Sequence, residues 1–193
     1  MPKLGMEPIR RDALVKATIA EVGAAGSVDV SVGRIAARAG VSTALAHHYF
    51  GGKDQILLAA MRHILTLYGA AVRAALSGRR VPRDRLQALV EASFGPDNFD
   101  DGVISAWLTF YVRAQTVPEA GRLLRVYQRR LRSNLLHELR PLAGPRADEL
   151  AETVGALIDG LYIRAALSRD VDGAAAAARV GRLIDGLLRD KTK

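Results

Sequence analysis

Three residues within the segment 31–50 have the chemistry and the spacing to contact the edges of base pairs. Thr43, Ala44 and His47 follow one another at positions i, i+1 and i+4, so a helix places them on one face. A threonine hydroxyl and a histidine ring can hydrogen-bond base edges in the major groove, and an alanine methyl can contact the methyl group of thymine. The residues 43–49 are therefore a candidate recognition helix.

The sequence around this helix has the signals of a helix-turn-helix. Ser31 and Ser42 each stand where a side-chain hydroxyl can cap the start of a helix, and Gly40 stands where a left-handed residue can end one. Two helices joined by a short turn that contains glycine, with the second helix exposed, define this motif. A purely structural helical hairpin has the same outline, so these residues alone leave that alternative open.

Polar side chains that could bind DNA phosphates flank the candidate recognition helix. A phosphate at the start of a helix is favoured by the free backbone N–H groups and by the helix dipole. Tyrosine and serine hydroxyls and the cationic side chains of lysine and arginine are suitable donors. We expect phosphate contacts from five residues of this kind, which are Ser31, Arg34, Ser42, Tyr49 and Lys53.

The whole chain of 193 residues is expected to be helical, because Ala, Leu and Arg, all good helix formers, dominate it. Glycine and proline fall where helices would end. They predict about nine helices, over residues 8–25, 31–39, 43–49, 53–77, 82–94, 101–116, 118–141, 145–168 and 173–189. The expected fold is all-α, with a three-helix DNA-binding head (1–52) on a larger effector-binding and dimerisation body (53–193).

Composition argues against several classes of protein. Cysteine is absent, and His47, His48, His63 and His137 lack the spacing of a helical zinc site, so we expect no catalytic residue, metal or cofactor and no enzyme. No uninterrupted apolar run approaches the roughly 18 residues of a membrane span, and the first residues do not resemble a signal peptide. The expected compartment is the cytoplasm, without a membrane. The formal net charge of +8 favours an anionic partner such as nucleic acid.

The sequence IAARAGVS, followed by HHYFGGKDQIL, resembles the TetR family of transcriptional repressors. The aromatic pair Tyr49-Phe50, the glycine break and Lys53 with the acidic residue after it carry the resemblance, which spans residues 8–60. It implies sequence-specific binding to double-stranded operator DNA, with Thr43, Ala44 and His47 contacting bases. Gly52 departs from the pattern, because many members have serine or asparagine there and thus one more possible contact.

Three stretches of the body, AWLTFYVRAQTVPEAGRL, RRLRSNL and LIDGLYIRAALS, are similar to the BetI-type repressors of that family. This implies control of genes for choline uptake and glycine-betaine synthesis, with choline or another quaternary ammonium as effector. Such a cation cannot donate a hydrogen bond, so aromatic faces and a carboxylate hold it. The candidate effector residues are Trp107, Phe110, Tyr111, Asp159 and Tyr162. Asp97 is an alternative counter-charge, and a plain aromatic core is the alternative interpretation.

Palindromic operators require a two-fold dimer. The family resemblance implies a homodimer through helices 145–168 and 173–189, each of which carries an apolar stripe. The stripes are Leu150, Val154, Leu157, Ile158, Leu161 and Ala165 on the first helix and Val180, Leu183, Ile184, Leu187 and Leu188 on the second. Each stripe could instead face the core of its own chain.

Three other functions remain open at this point. A TetR-family repressor of another operon, such as one for efflux, would respond to hydrophobic cations rather than to choline. A small helical enzyme would need a nucleophile, a metal set or a phosphate loop, none of which is evident. An architectural DNA-binding protein would have no effector.

Overall fold

A computed structural model describes residues 5–26, 29–168 and 171–190. Within these ranges the chain forms nine α-helices and no strand. They are α1 (Met6–Ala25), α2 (Val32–Arg38), α3 (Thr43–Phe50), α4 (Lys53–Leu76), α5 (Pro82–Ser93), α6 (Asp101–Arg113), α7 (Pro118–Ala143), α8 (Ala147–Ser168) and α9 (Gly173–Arg189), with a 3₁₀ turn at Gly144–Arg146 before α8. The predicted all-α class is confirmed.

Local signals define the helix-turn-helix. The Ser31 hydroxyl accepts the backbone N–H of Arg34 at 3.2 Å, and the Ser42 hydroxyl accepts that of Leu45 at 3.1 Å. Gly40 has φ 66°, the left-handed conformation that ends α2 without a Cβ clash. The predicted caps and the predicted turn are therefore confirmed.

The buried apolar side chains form two clusters. The smaller joins α1, α2, α3 and the first turn of α4, and it consists of Leu14, Ala17, Ile35, Ala36, Ala46 and Ile56. The larger fills the space between α4 and α9 and also takes in Val22 and Val30 from the N-terminal part. Because α1 and α4 contribute to both clusters, the boundary at residue 52 stays a prediction.

The first helix packs closely against the sixth. A Cβ built on Gly23 would overlap the Cα of Gly102 and would lie 3.1 Å from the Gly102 nitrogen. An ion pair between Arg113 and Asp54 also joins the end of α6 to the start of α4. The helix-turn-helix is thus connected to the body through α6 as well as through α4.

The C-terminal end of α4 is held by a half-buried arginine that pairs with a buried glutamate. Arg85 of α5 donates from Nη1 to the carbonyl oxygens of Leu76 and Arg79, at 3.2 and 3.1 Å. Its Nε lies 2.9 Å from both carboxylate oxygens of Glu138 in α7, which is only 3% exposed. The ion pair places a cation at the helix C-terminus, where the helix dipole favours it.

By length and composition alone, α4 is apolar enough to cross a membrane, the one such helix in the described part of the chain. Arg62 and His63 interrupt its apolar run. Ile56, Leu58 and Ile64 are buried inside the protein. A helix that packs in a protein core can be as long and as apolar as one that crosses a membrane.

The apolar stripes predicted to pair with a second copy lie mostly inside the chain. Leu150, Val154, Ile158, Leu161 and Ala165 of α8 are buried, as are Val180 and Ile184 of α9. They pack in the larger cluster, which matches the alternative that the stripes face their own core. These seven residues do not form the interface, because helical periodicity identifies an apolar face without identifying what covers it. The other four stripe residues are half-buried, and their pairing with a second copy stays a prediction; they are Leu157, Leu183, Leu187 and Leu188.

Candidate functional site

The candidate recognition helix presents its three predicted base-reading residues to the exterior. Thr43, Ala44 and His47 are exposed, whereas Ala46 of the same helix is fully buried in the small cluster. Ala46 therefore fixes which face of α3 points outward. The outward face carries a hydroxyl, a methyl group and an imidazole, a combination that can contact base edges.

Two predicted phosphate ligands stand beside this face. A Cβ at Gly33 would lie 3.8 Å from both the Ser31 and the Thr43 hydroxyl oxygens, so the two hydroxyls occupy one region. Ser31 and Ser42 use an oxygen lone pair to cap their helices, which leaves each hydroxyl proton free to be donated. Both serines are exposed.

Tyr49 is half-buried and packs beneath a cation from another helix. The guanidinium carbon of Arg11 lies 5.2 Å from the ring centroids of Tyr49 and Phe50. This cation–π contact fixes the Tyr49 ring against α1. Residue spacing could not predict this contact between Arg11 and Tyr49, because α2 separates α1 from α3 in the sequence.

The two predicted cationic phosphate ligands are engaged within the chain. Arg34 reaches the carboxylate of Glu21 at 2.9 Å, and Lys53 reaches that of Asp29 at 3.8 Å. Glu21 is also hydrogen-bonded by Arg38, which holds the pKa of Glu21 below its usual value. The Arg34 side chain is nevertheless 59% exposed, and a guanidinium has donors for two partners.

An aromatic cluster with a carboxylate lies in the body, between α4, α6, α7 and α8. The ring centroid of Trp107 is 4.5 Å from that of Tyr127 and 5.7 Å from that of Tyr111. The Tyr127 hydroxyl donates to Asp159 Oδ1 at 3.0 Å, and the nearby Tyr111 hydroxyl also acts to lower the pKa of Asp159. We name Trp107, Tyr111, Tyr127 and Asp159 the aromatic box.

Asp159 is a half-buried carboxylate without a cationic partner. Within the described ranges, no lysine or arginine lies at ion-pair distance from it, and its side-chain hydrogen bond comes from the Tyr127 hydroxyl. Burial raises the pKa of Asp159 above the usual aspartate value, and the two tyrosines oppose that rise. Asp159 also lines a groove between α7 and α8, together with Arg125 and Arg129, which gives it a route to the surface.

The other predicted effector residues lie outside the aromatic box or at its edge. The Tyr162 hydroxyl is committed to the carbonyl oxygens of Ser93 and Asn98, and its ring stacks on Phe94. Phe110 packs edge-on against Trp107 but lines a separate small cavity between α1, α4 and α6. Asp97 is exposed in the loop between α5 and α6 and does not contact the box.

Two tyrosines that residue spacing did not assign to the site belong to its surroundings. Tyr127 is buried and contacts both Trp107 and Asp159. Tyr68 of α4 lies 6.1 Å from Tyr127, and its hydroxyl is 3.1 Å from that of Ser93. Burial raises the pKa of Tyr68 to about 12, so it stays protonated at neutral pH. Tyr68 connects the box to the helix that leads to the recognition element.

Comparison with known proteins assigns both parts of the chain. Residues 14–60 match the model of the bacterial regulatory proteins of the tetR family, and residues 82–189 match that of the BetI-type transcriptional repressor C-terminal domain. The HTH-type transcriptional regulator BetI of Brucella anthropi is 52% identical over 178 residues, which cover 92% of each chain. That of Agrobacterium fabrum is 49% identical and covers 92% of this chain and 86% of its own.

A solved structure extends the comparison to ligands. The chain is similar to a transcriptional regulator from Saccharomonospora viridis whose crystal structure is in complex with choline. The two are 26% identical and superimpose with a TM-score of 0.82 over 91% of this chain and 95% of the other.

Proposed function

We propose that this chain, which belongs to the TetR family and is a DNA-binding transcriptional repressor with a BetI-type C-terminal domain, responds to choline through its aromatic box. In this proposal the ligand-free protein binds operator DNA near the genes of choline uptake and glycine-betaine synthesis. Choline then favours a second conformation with lower affinity for DNA. The shift is limited by the difference in choline affinity between the two conformations.

The observation that carries the proposal is the carboxylate of Asp159, which lies among aromatic faces and has no cationic partner among the residues that the structure describes. A buried carboxylate is costly unless it is paired, so the site favours a cation. Trp107 and Tyr111 offer aromatic faces beside it, which bind a cation that has no hydrogen to donate. The choline complex of the regulator from Saccharomonospora viridis supports the same ligand.

For the DNA-binding part, we infer that residues 1–52 form the head and residues 53–193 the effector and dimerisation body. Thr43, Ala44 and His47 contact bases. Ser31, Arg34, Ser42, Tyr49 and Lys53 contact phosphates, which requires Arg34 and Lys53 to share or exchange their intramolecular partners. The cytoplasm, where bacterial DNA lies, is the compartment in which this function operates.

A mobility-shift experiment tests the proposed function directly. The probe is a DNA fragment upstream of the gene for this protein, titrated with the purified protein in the presence and absence of choline chloride. Release of the fragment by choline, and not by the lipophilic cation tetraphenylphosphonium, is the expected result. Release by the lipophilic cation alone would instead favour a repressor of another operon. No release by either would favour a DNA-binding protein without an effector.

Replacing Lys53 by alanine is expected to weaken DNA binding to all sequences by a similar factor. Binding of Lys53 to a phosphate releases the counterion of that phosphate, and this release makes DNA affinity depend on salt. Without the lysine the counterion stays bound, so the slope of log K against log salt should become shallower by about 0.9. Fluorescence anisotropy at several salt concentrations measures this slope. Arg125→Ala, which removes an exposed cation from α7 in the body, should leave it unchanged. An unchanged slope in Lys53→Ala would contradict the phosphate contact.

We further infer that two copies pair through α8 and α9, using the exposed faces of these helices rather than their buried stripes. On α8 this face carries Ala156, Gly160, Ile163 and Leu167, of which Leu167 is 73% exposed. A Cβ added at Gly160 or at Gly186 of α9 would meet no atom of the same chain within 4 Å. Small residues on an exposed apolar face permit close approach of a second helix, and exposed apolar surface favours association.

Substituting leucine for Gly160 is expected to shift the protein from dimer towards monomer. The new side chain meets nothing in its own chain, so the isolated subunit should remain folded, while the partner helix is kept at a distance. Sedimentation velocity over a range of protein concentrations measures the change. Ala70→Leu, which adds the same apolar bulk at an exposed position of α4, should remain dimeric. Equal dimerisation of both variants would place the interface elsewhere.

A further inference from the structure

In this structure the aromatic box is closed. The centroid of Trp107 lies only 4.5 Å from that of Tyr127, and the Tyr127 hydroxyl lies 3.0 Å from Asp159. A cation held by an aromatic ring sits over the ring face within roughly 6 Å of its centroid. Two rings that enclose a trimethylammonium group must therefore stand much farther apart than Trp107 and Tyr127 do. The position beside both Trp107 and Asp159 is filled by Tyr127.

We propose that Tyr127 is an internal competitor of the effector, which occupies the cation position in the empty protein and is displaced when a quaternary ammonium binds. The inference rests on the proposed function and adds to it a named residue that lowers ligand affinity. The ring of Tyr127 covers Trp107 in place of the ligand. Its hydroxyl stabilises the Asp159 carboxylate by a hydrogen bond, where a bound ligand would stabilise it by its positive charge.

The chemistry of the two occupants explains why they exclude each other. Without ligand, Asp159 needs a hydrogen-bond donor because a half-buried carboxylate that lacks one is destabilised, and Tyr127 supplies it. A quaternary ammonium compensates the carboxylate by charge and needs no acceptor. The Tyr127 hydroxyl is then no longer required at Asp159, and the ring must leave to make room.

The displaced ring has a mechanical connection to the recognition element. Tyr127 lies edge-on to Tyr68, at 6.1 Å between centroids, and Tyr68 belongs to α4. The Tyr68 hydroxyl also contacts Ser93 at the end of α5. Movement of Tyr127 away from Trp107 therefore acts on α4, the helix whose first residue is Lys53. Displacement of the Tyr127 side chain thus couples ligand binding in the aromatic box to the position of the DNA-binding head.

Replacing Tyr127 by phenylalanine tests the competition. The variant keeps the ring but loses the hydroxyl, so Asp159 loses a donor only in the empty protein. Because a hydrogen bond to a charged group contributes free energy equivalent to roughly a tenfold change in an equilibrium constant or more, choline should bind about tenfold tighter. Isothermal titration calorimetry with choline chloride measures the dissociation constant. Thr153→Val, which loses an exposed hydroxyl of α8 that is bonded to the carbonyl oxygen of Glu149 rather than to Asp159, should bind choline as the unmodified protein does.

A second measurement needs no variant. Trp107 is the one tryptophan of the sequence, so intrinsic fluorescence reports on its contact with Tyr127. Choline should change the tryptophan emission with the same midpoint as in calorimetry. Unchanged or weaker choline binding by Tyr127→Phe, or an emission that does not respond to bound choline, would overturn the inference and leave the proposed function intact. Absence of choline binding to the unmodified protein would refute both.

Discussion

Replacing Asp159 by asparagine is expected to abolish the response to choline while leaving the affinity of the ligand-free protein for DNA unchanged. The substitution keeps the shape and an oxygen acceptor for Tyr127, but it removes the negative charge of the aromatic box. Loss of one member of a buried charge pair costs roughly 2–5 kcal/mol, so choline affinity should fall by about 30-fold or more. Calorimetry with choline chloride and mobility shift without ligand measure the two quantities separately.

Two controls isolate the charge. Asp97→Asn removes a carboxylate from the exposed loop between α5 and α6 and should leave choline binding unchanged. The uncharged analogue of choline, with a tert-butyl group in place of trimethylammonium, has no charge to pair with the carboxylate, so its affinity should not fall in Asp159→Asn as that of choline does. Undiminished choline binding by Asp159→Asn would remove this residue from the site.

The same residue makes choline binding depend on pH in a definite direction. Choline pairs with the ionised carboxylate, and burial raises the pKa of Asp159. Affinity should therefore be greatest above this raised pKa and decrease as the pH falls through it, at a higher pH than for an ordinary aspartate. In Asp159→Asn this dependence should disappear.

Substituting alanine for Gly23 is expected to lower the free energy of unfolding, although alanine is the better helix former. The added methyl would overlap the Cα of Gly102, and two helix backbones cannot yield as a flexible side chain can. Forcing one carbon into such a contact typically costs about 1–3 kcal/mol, which exceeds the roughly 0.5–1 kcal/mol that alanine gains over glycine in a helix. Urea denaturation measures the difference, at one protein concentration because a dimer's stability depends on it.

Gly69→Ala serves as the matched control within α4. A Cβ there would lie 3.4 Å from the end of the flexible Arg73 side chain, which can move aside. This variant should be as stable as the unmodified protein or slightly more so. If Gly23→Ala proved equally stable, α1 and α6 would not be in close contact in solution.

The helix-turn-helix could be predicted in detail because local residues determine it. The hydroxyls of Ser31 and Ser42 cap helices that begin at the next residue, and Gly40 takes up the left-handed turn between them. Each interaction spans three or four residues, a distance over which sequence spacing and spatial proximity coincide. Exposure of Thr43 and His47 followed from the same periodicity, since Ala46 had to face inward.

The body was predictable as helices but not as contacts between them. Tyr127 and Asp159 hydrogen-bond although they are separated by 32 positions, and residue spacing carries no information on such a pair. The spacing also placed Phe110 beside Trp107 and Tyr111, yet Phe110 lines a different cavity because side chains within one arc of α6 face different neighbours. The spacing suggested that Tyr162 is available to a ligand, but its hydroxyl donates to the backbone carbonyl oxygens of Ser93 and Asn98, which are distant in sequence.

Arg85, paired with Glu138, binds the carbonyl oxygen at the C-terminal end of α4 and holds that end in place. A tilt of the helix would therefore turn about this end. With 24 residues, α4 is about 36 Å long. A rotation of about 5° around the clamped end thus carries Lys53, at the other end, through roughly 3 Å. Direct hydrogen bonds to DNA tolerate only a few tenths of an ångström. Under the proposed function, a tilt of this size is therefore large enough to break the contacts of the head with operator DNA.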